Sequence, residues 1–150
     1  MAKTFKGRPV VAGKIDKGDA VVSHFGVNTL ASFQKSALKK TSEVICSDQN
    51  NPDLFEKNLT KKVVCLPKTI GSTTGGMVLY TVCALGIAPA AMLFSETIDS
   101  LAAAGVILSE VWTDNTIVAV DGLGQEFLDY VKDGMKITVN EDGVVSVDNN

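Results

Sequence analysis

The chain predicts an α/β fold in which β-rich flanks enclose a short parallel sheet with helices on it. Three observations carry this expectation. From residue 62 onward, short apolar runs bounded by turn residues alternate with longer helical segments, the order that builds strand–helix–strand units with a parallel sheet. The first 25 residues hold brief strand-like runs around Gly and Asp. The tail MKITVNEDGVVSV alternates apolar and polar positions on both sides of EDG, which is the pattern of a hairpin. At 150 residues with 45% hydrophobic content, the chain has the size of one domain that buries most of its own surface. Residues 1–150 are therefore expected to form a single domain.

Taken in order, PVVAG (Pro9–Gly13) and DAVVSHF (Asp19–Phe25) read as two strands, with KIDKG as the turn between them. Gly26–Lys62 is polar and rich in Ser, Thr, Asn and Lys, with turn residues at Asn51-Pro52-Asp53. It reads as long loops with one strand at Glu43–Cys46. Then KVVCLP is a strand, GGMVLYTVCALG a helix, APAAMLFS a strand, IDSLAAAGVILSEVW a helix, TIVAVDG a strand and QEFLDYVKDG a helix. Glu141 and Asp142 belong to the closing hairpin turn, and Trp112 is expected to pack at a helix end.

Composition removes several function classes. A net charge of −3 and a pI near 5.1 give no basic footprint for nucleic acid. Lys35, Lys39, Lys40, Lys61 and Lys62 read as a solvated face. MAKTFKGRPVV lacks the apolar stretch of a signal peptide, and no apolar run reaches the ~18 residues of a membrane span, so a cytoplasmic protein is expected. Cys46, Cys65 and Cys83 are scattered without a Cys-x-x-Cys pair, which suggests buried thiols rather than disulfides or a zinc site. The sequon Asn58-Leu59-Thr60 reads as chance. His24, the sole histidine, lacks a triad context and reads as structural or exposed.

The stretch KTIGSTTGGMVLYTVCALG (Lys68–Gly86) is the strongest candidate for a site. Its helix, Gly75–Leu85, is apolar on nearly every face, so it is expected to be buried on both sides, within the domain or against a partner. Gly75 and Gly76 each cost the helix ~1 kcal/mol relative to Ala, and they admit close approach of a backbone or ligand. Ser72, Thr73 and Thr74 stand where a strand hands over to this helix. Free N–H groups and the positive end of the helix dipole would welcome an anion there. A plain N-cap and an anion site both fit these residues. A Walker loop does not, because no Lys follows the glycines.

The successive segments GKIDKGDAVVS, SDQNNPDLFEKNLTKKVVCLP, GSTTGGMVLYTVCALGIAPAAMLFSETIDSLAAAG, IVAVD and VKDGMKITVNEDGVVSV resemble the small, swivel-domain subunit of the aconitase X family over nearly the whole chain. The resemblance implies a swivelling β/β/α domain and a hydro-lyase shared with a large subunit. That subunit carries an iron–sulfur cluster and most substrate ligands, and this chain alone is expected to bind no cofactor. Family substrates include cis-3-hydroxy-L-proline and mevalonate 5-phosphate. Where members usually read Gly-Ser-Ser, this chain has Gly71-Ser72-Thr73, so the resemblance gives Ser72 the role of catalytic base and Thr73 a substrate contact. Gly71 and Thr74 share that turn. Asp48 and Asn51, in the loop before the central strand, are candidates for lining the substrate entrance, and turn chemistry explains them equally well. Many members carry a Ser-Phe-Trp-Gly-Gly loop where this chain reads SHFGVNTLASFQKS, which leaves the substrate open.

Dehydration of a hydroxy acid needs a base for a weakly acidic carbon-bound proton while the hydroxyl leaves. A helix end supplies at most ~2 kcal/mol, enough to shift the serine by one or two pKa units. The remaining activation is expected from the partner chain, at an interface near Met77–Leu85 and the hydroxyl turn. The alternative is a non-catalytic swivelling module, regulatory or phosphocarrier-like. A carrier would need a histidine where this chain has Ser72, Thr73 and Thr74.

Overall fold

The computed structural model describes residues 2–39, 41–70 and 75–148. Along the chain come β1 (Ala2–Lys6), β2 (Arg8–Val11), β3 (Ile15–Val22), β4 (Val27–Asn28), α1 (Thr29–Lys39), β5 (Val63–Leu66), β6 (Thr69–Ile70), α2 (Gly75–Ala84), β7 (Ala91–Phe94), α3 (Ser100–Trp112), β8 (Val118–Asp121), α4 (Gln125–Tyr130), β9 (Lys136–Val139) and β10 (Val144–Asp148). Among the described residues, eight strands join in the order β1-β10-β9-β3-β5-β7-β8-β2. The centre, β3-β5-β7-β8, is parallel. The β1-β10-β9-β3 side and the β2 edge are antiparallel.

The parallel strands are short apolar runs because both of their faces are covered. Successive side chains on a strand point to opposite faces, and the burial follows that period. Val64, Leu66, Met92, Phe94 and Ala119 enter a core with Leu79, Val82 and Val106 of the helices. Val63, Cys65, Ala91, Leu93, Val118 and Val120 enter a second core with Phe5, Ile137, Val139, Val145 and Val147 of the antiparallel strands and Phe127 of α4. Three layers result: antiparallel strands, parallel strands and helices. This is the expected mixed α/β architecture.

Several local expectations are corrected. KIDKG is no turn between neighbouring strands. Ile15 to Gly18 lie inside β3, which bends through a register shift there, with Lys17 at φ 52°. β2 and β3 are not neighbours either, since β2 pairs with β8 at the far edge. The polar segment 26–62 holds the helix α1. Its buried stripe is Thr29, Ser32, Phe33 and Ser36, which has helical spacing but three hydroxyls in place of aliphatic groups. Instead of a strand at Glu43–Cys46, one isolated bridge joins Ile45 to Asn58. β1, unforeseen, pairs with β10. Trp112 is not packed but 72% exposed.

Gly76 and Gly105 set how α2 and α3 meet. A Cβ on Gly105 would lie 2.5 Å from the Gly76 carbonyl oxygen and 2.8 Å from its Cα, and one on Gly76 would lie 2.5 Å from the Leu101 carbonyl oxygen. What needs the space at Gly76 is therefore the backbone of the next helix. Near the chain that leads into α3, Asp121 at the end of β8 binds Arg8 of β2 through two hydrogen bonds, Nε–Oδ1 3.0 Å and Nη2–Oδ2 2.7 Å. It also accepts the Ile98 N–H at 2.9 Å. One carboxylate thus ties the edge strand, β8 and the approach to α3 together. Burial pushes the Asp121 carboxyl up, but the Arg8 hydrogen bonds, the Ile98 N–H and the Arg8 charge outweigh it and hold the group below the usual carboxylate range.

Two outcomes follow from these contacts. Gly105→Ala is expected to lose about 1–3 kcal/mol in denaturant unfolding, the cost of overpacking a close contact, and unchanged stability would mean that the helices part freely. Asp121→Asn is expected to lose about 1–3 kcal/mol at neutral pH. Because the folded-state pKa is depressed, the carboxylate's contribution is complete above about pH 4 and fades as pH falls through the folded value. The gap between wild type and variant in pH-dependent unfolding should therefore close on the acid side. A gap constant down to pH 2 would contradict the assignment.

Candidate active site

Three helices begin at one place on the carboxyl edge of the parallel strands, the edge at which open α/β sheets bind ligands. β4 and β6 run parallel, with Asn28 opposite Ile70, so the start of α1 lies beside the end of β6. Asn28 caps α1 by accepting the Ala31 N–H on Oδ1 at 3.0 Å. At the other end of the segment, Gly76 in the first turn of α2 packs on the Leu101 carbonyl in the first turn of α3. Asp99 caps α3, its Oδ2 accepting from Leu101 N and Ala102 N at 3.1 and 3.0 Å. Its other oxygen accepts the Thr69 hydroxyl. Ile70, before residues 71–74, is thus tied to the start of α1, and Gly76, after them, to the start of α3.

Gly71, Ser72, Thr73 and Thr74 themselves lie outside the described residues. Thr69 and Asp99 are the flanking groups that the sequence reading missed. The Asp99-Ser100 pair before an apolar run is a recognisable N-cap signal, but nothing local pairs Asp99 with Thr69, thirty residues away. Ser95, at the end of β7, is buried, and its Oγ has no partner among the described residues.

The structure places Asp48 and Asn51 on the same edge, inside a closed loop. Asn51 Nδ2 donates to Ser23 Oγ at 3.0 Å, and its Oδ1 accepts from Asp53 N and Leu54 N. Asp48 Oδ1 accepts from Asn50 N at 2.9 Å. These bonds fasten the loop to the end of β3. His24 is half-exposed, its Nδ1 3.4 Å from Asp53 Oδ2, and its own N–H donates to that oxygen at 2.8 Å.

The thiols do not fit an iron–sulfur cluster, which needs several converging thiolates. Cys46, Cys65 and Cys83 are all buried and sit on a loop, on β5 and on α2. Burial, with a smaller contribution from Asp133, pushes the Cys65 thiol up, away from the thiolate form. Cys83 Sγ is spent on the Asn115 carbonyl at 3.2 Å. Among the described residues, no three His, Cys, Asp or Glu side chains are placed to hold a metal ion, and no helix is long and apolar enough to cross a membrane. An open cleft of about 490 Å³, lined by Lys14, Lys61, Glu110 and Asp114, lies at the opposite, amino-terminal end of β7 and β8.

Comparison with known proteins adds a family to this geometry. The aconitase X swivel domain matches residues 4–147. The chain is 30% identical over 143 residues to the phosphomevalonate dehydratase small subunit of Aeropyrum pernix, covering 95% of this chain and 92% of that one. It is 31% identical over 136 residues to the protein of the same name from Methanosarcina mazei, covering 91% and 84%. The crystal structure of Thermococcus kodakaraensis aconitase X in its holo form superposes with a TM-score of 0.79 at 28% identity, covering 97% of this chain and 98% of that chain. The layered fold, the helix ends gathered at one edge of the sheet and the match from residue 4 to residue 147 agree: this chain belongs to the aconitase X swivel-domain family.

Proposed function

We propose that this chain is the small subunit of an aconitase X type hydro-lyase that acts on mevalonate 5-phosphate, with Ser72 as the base in an active site completed by a large subunit. The observation that supports this reading most is the gathering of the α1, α2 and α3 amino-terminal ends at the carboxyl edge of the parallel strands in a chain of this family. Helix amino termini favour negative charge, each by up to ~1 kcal/mol at exposed sites. A phosphorylated hydroxy acid is an anion of the kind that such a place attracts. The relatives named above carry phosphomevalonate in their names, and a small subunit entails a larger partner.

In this reading Ser72 Oγ takes the carbon-bound proton as the substrate hydroxyl leaves. Gly71, whose lack of a side chain lets the substrate close on the backbone, and the hydroxyls of Thr73 and Thr74 orient it. Asp48 and Asn51 shape the entrance from behind, Asp48 through the turn that it closes on the Asn50 N–H and Asn51 through its bond to Ser23. The helix ends alone lower a serine pKa by one or two units, and the Asp99 carboxylate works against ionisation nearby. Cationic groups and exclusion of water must come from the large subunit, which also holds the iron–sulfur cluster that this chain's thiols do not fit.

The test is turnover and stability measured on one preparation of the Ser72→Ala variant assembled with the large subunit. Removal of a general base is expected to lower kcat by roughly 10²–10⁴-fold with thermal stability nearly unchanged. The assembly should also prefer mevalonate 5-phosphate to cis-3-hydroxy-L-proline. A variant that is active but destabilised by about 1 kcal/mol, the cost of a lost cap, would reduce the turn to a helix cap.

A further inference from the structure

The outward face of α2 and α3 is dressed for a partner. In the 10 residues of α2 and the 13 of α3 the one ionisable side chain of the Asp, Glu, Lys, Arg or His type is Glu110, in a chain with 21% charged residues. α3 already buries one stripe, Ala102, Gly105, Val106 and Ser109, against its own domain. Its other side exposes Leu101, Ile107, Leu108, Val111 and Trp112, with Val111 at 69% and Trp112 at 72%, and α2 adds Met77 at 58%. Positions 101, 104, 108 and 111–112 recur every three or four residues and so share one helix face. A helix apolar all round is a helix buried all round, and α3 is covered by this chain on only one side.

We infer that this face is where the large subunit docks, an inference that rests on the proposed role of residues 71–74. The six apolar residues are each two-fifths or more exposed, a strip of the kind that marks a protein–protein contact. Its position selects the occupant. Met77 and Leu101 stand beside Gly76, two residues past Thr74 in the chain, and the stripe runs from there about 16 Å along α3 to Trp112. A body seated along it therefore reaches the start of α2. A second copy of this chain would bring to that turn the same nearly chargeless helical face, with no groups to activate a serine. The occupant is thus a partner with an aliphatic groove for α3 and cationic groups at one end of it. Trp112 is the anchor farthest from the chemistry, and Trp is the residue type most enriched among side chains that dominate binding.

The test uses the Val111→Lys, Trp112→Glu double variant, changed at two exposed positions outside the catalytic turn. Its circular dichroism and melting should match wild type, while its Kd for the large subunit rises about 100-fold or more, the size of a hot-spot loss. At saturating large subunit, kcat should return to the wild-type value. Hydrogen exchange of the wild-type chain supplies a second measure, with protection expected over 101–112 on adding the large subunit. Unchanged Kd together with unprotected 101–112 would overturn the inference. So would a wild-type chain that dimerises alone through Trp112 while the variant still binds the large subunit normally. Should Ser72→Ala remain active while the double variant loses its partner, the docking face stands and the catalytic reading of the turn falls.

Discussion

The contact between the Gly76 and Gly105 backbones is the constraint on which the useful part of this structure depends. Because neither residue carries a Cβ, α2 and α3 cross with main chain against main chain, at the first turn of α2. That fixes the end of α2 to which residues 71–74 connect. The other end of the segment is fixed by Asn28 pairing with Ile70, and the Asp99 carboxylate links Thr69 to the cap of α3. The described residues on either side of 71–74 are thereby tied to the sheet and to each other, and rigid flanks of this kind suit a reacting group, since small misplacements cost large factors in rate.

The parallel sheet makes this arrangement affordable in a chain of 150 residues. β5, β7 and β8 are each four residues long and buried at every position, so four residues serve two cores at once. The antiparallel strands and α4 close one face, and α1, α2 and α3 close the other. With both sheet faces satisfied internally, the outward sides of α2 and α3 have no structural task in this chain. Their apolar character is what the proposed docking of the large subunit would use.

Much of the fold could be seen in the sequence where burial and hydropathy coincide. KVVCLP, APAAMLFS and TIVAVDG are strands because a four-residue run buried on both faces must be apolar throughout. α1 was hidden for the opposite reason: its inward stripe uses Thr29, Ser32 and Ser36, whose hydroxyls look like loop chemistry until Ser36 Oγ is seen accepting the Ile45 N–H. Trp112 misled because large aromatics are ordinarily buried, and its exposure makes sense only on an assembly scale. In GSTTGG the sequence marks a candidate site, of which the structure describes Gly75 and Gly76. Its supports were not legible there, because Thr69–Asp99, Asn28–Ile70 and Gly76–Gly105 are pairings between distant parts of the chain that no local pattern encodes.

The most direct measurement is an experimental structure of this chain assembled with its large subunit and an unreactive analogue of the phosphorylated hydroxy acid. The account predicts the analogue at the boundary between the chains, with Ser72 Oγ within about 2.6–3.2 Å of the carbon-bound proton's site or of a water leading to it. An analogue enclosed by the large subunit alone, with the Ser72 hydroxyl turned inward to cap α2, would contradict it.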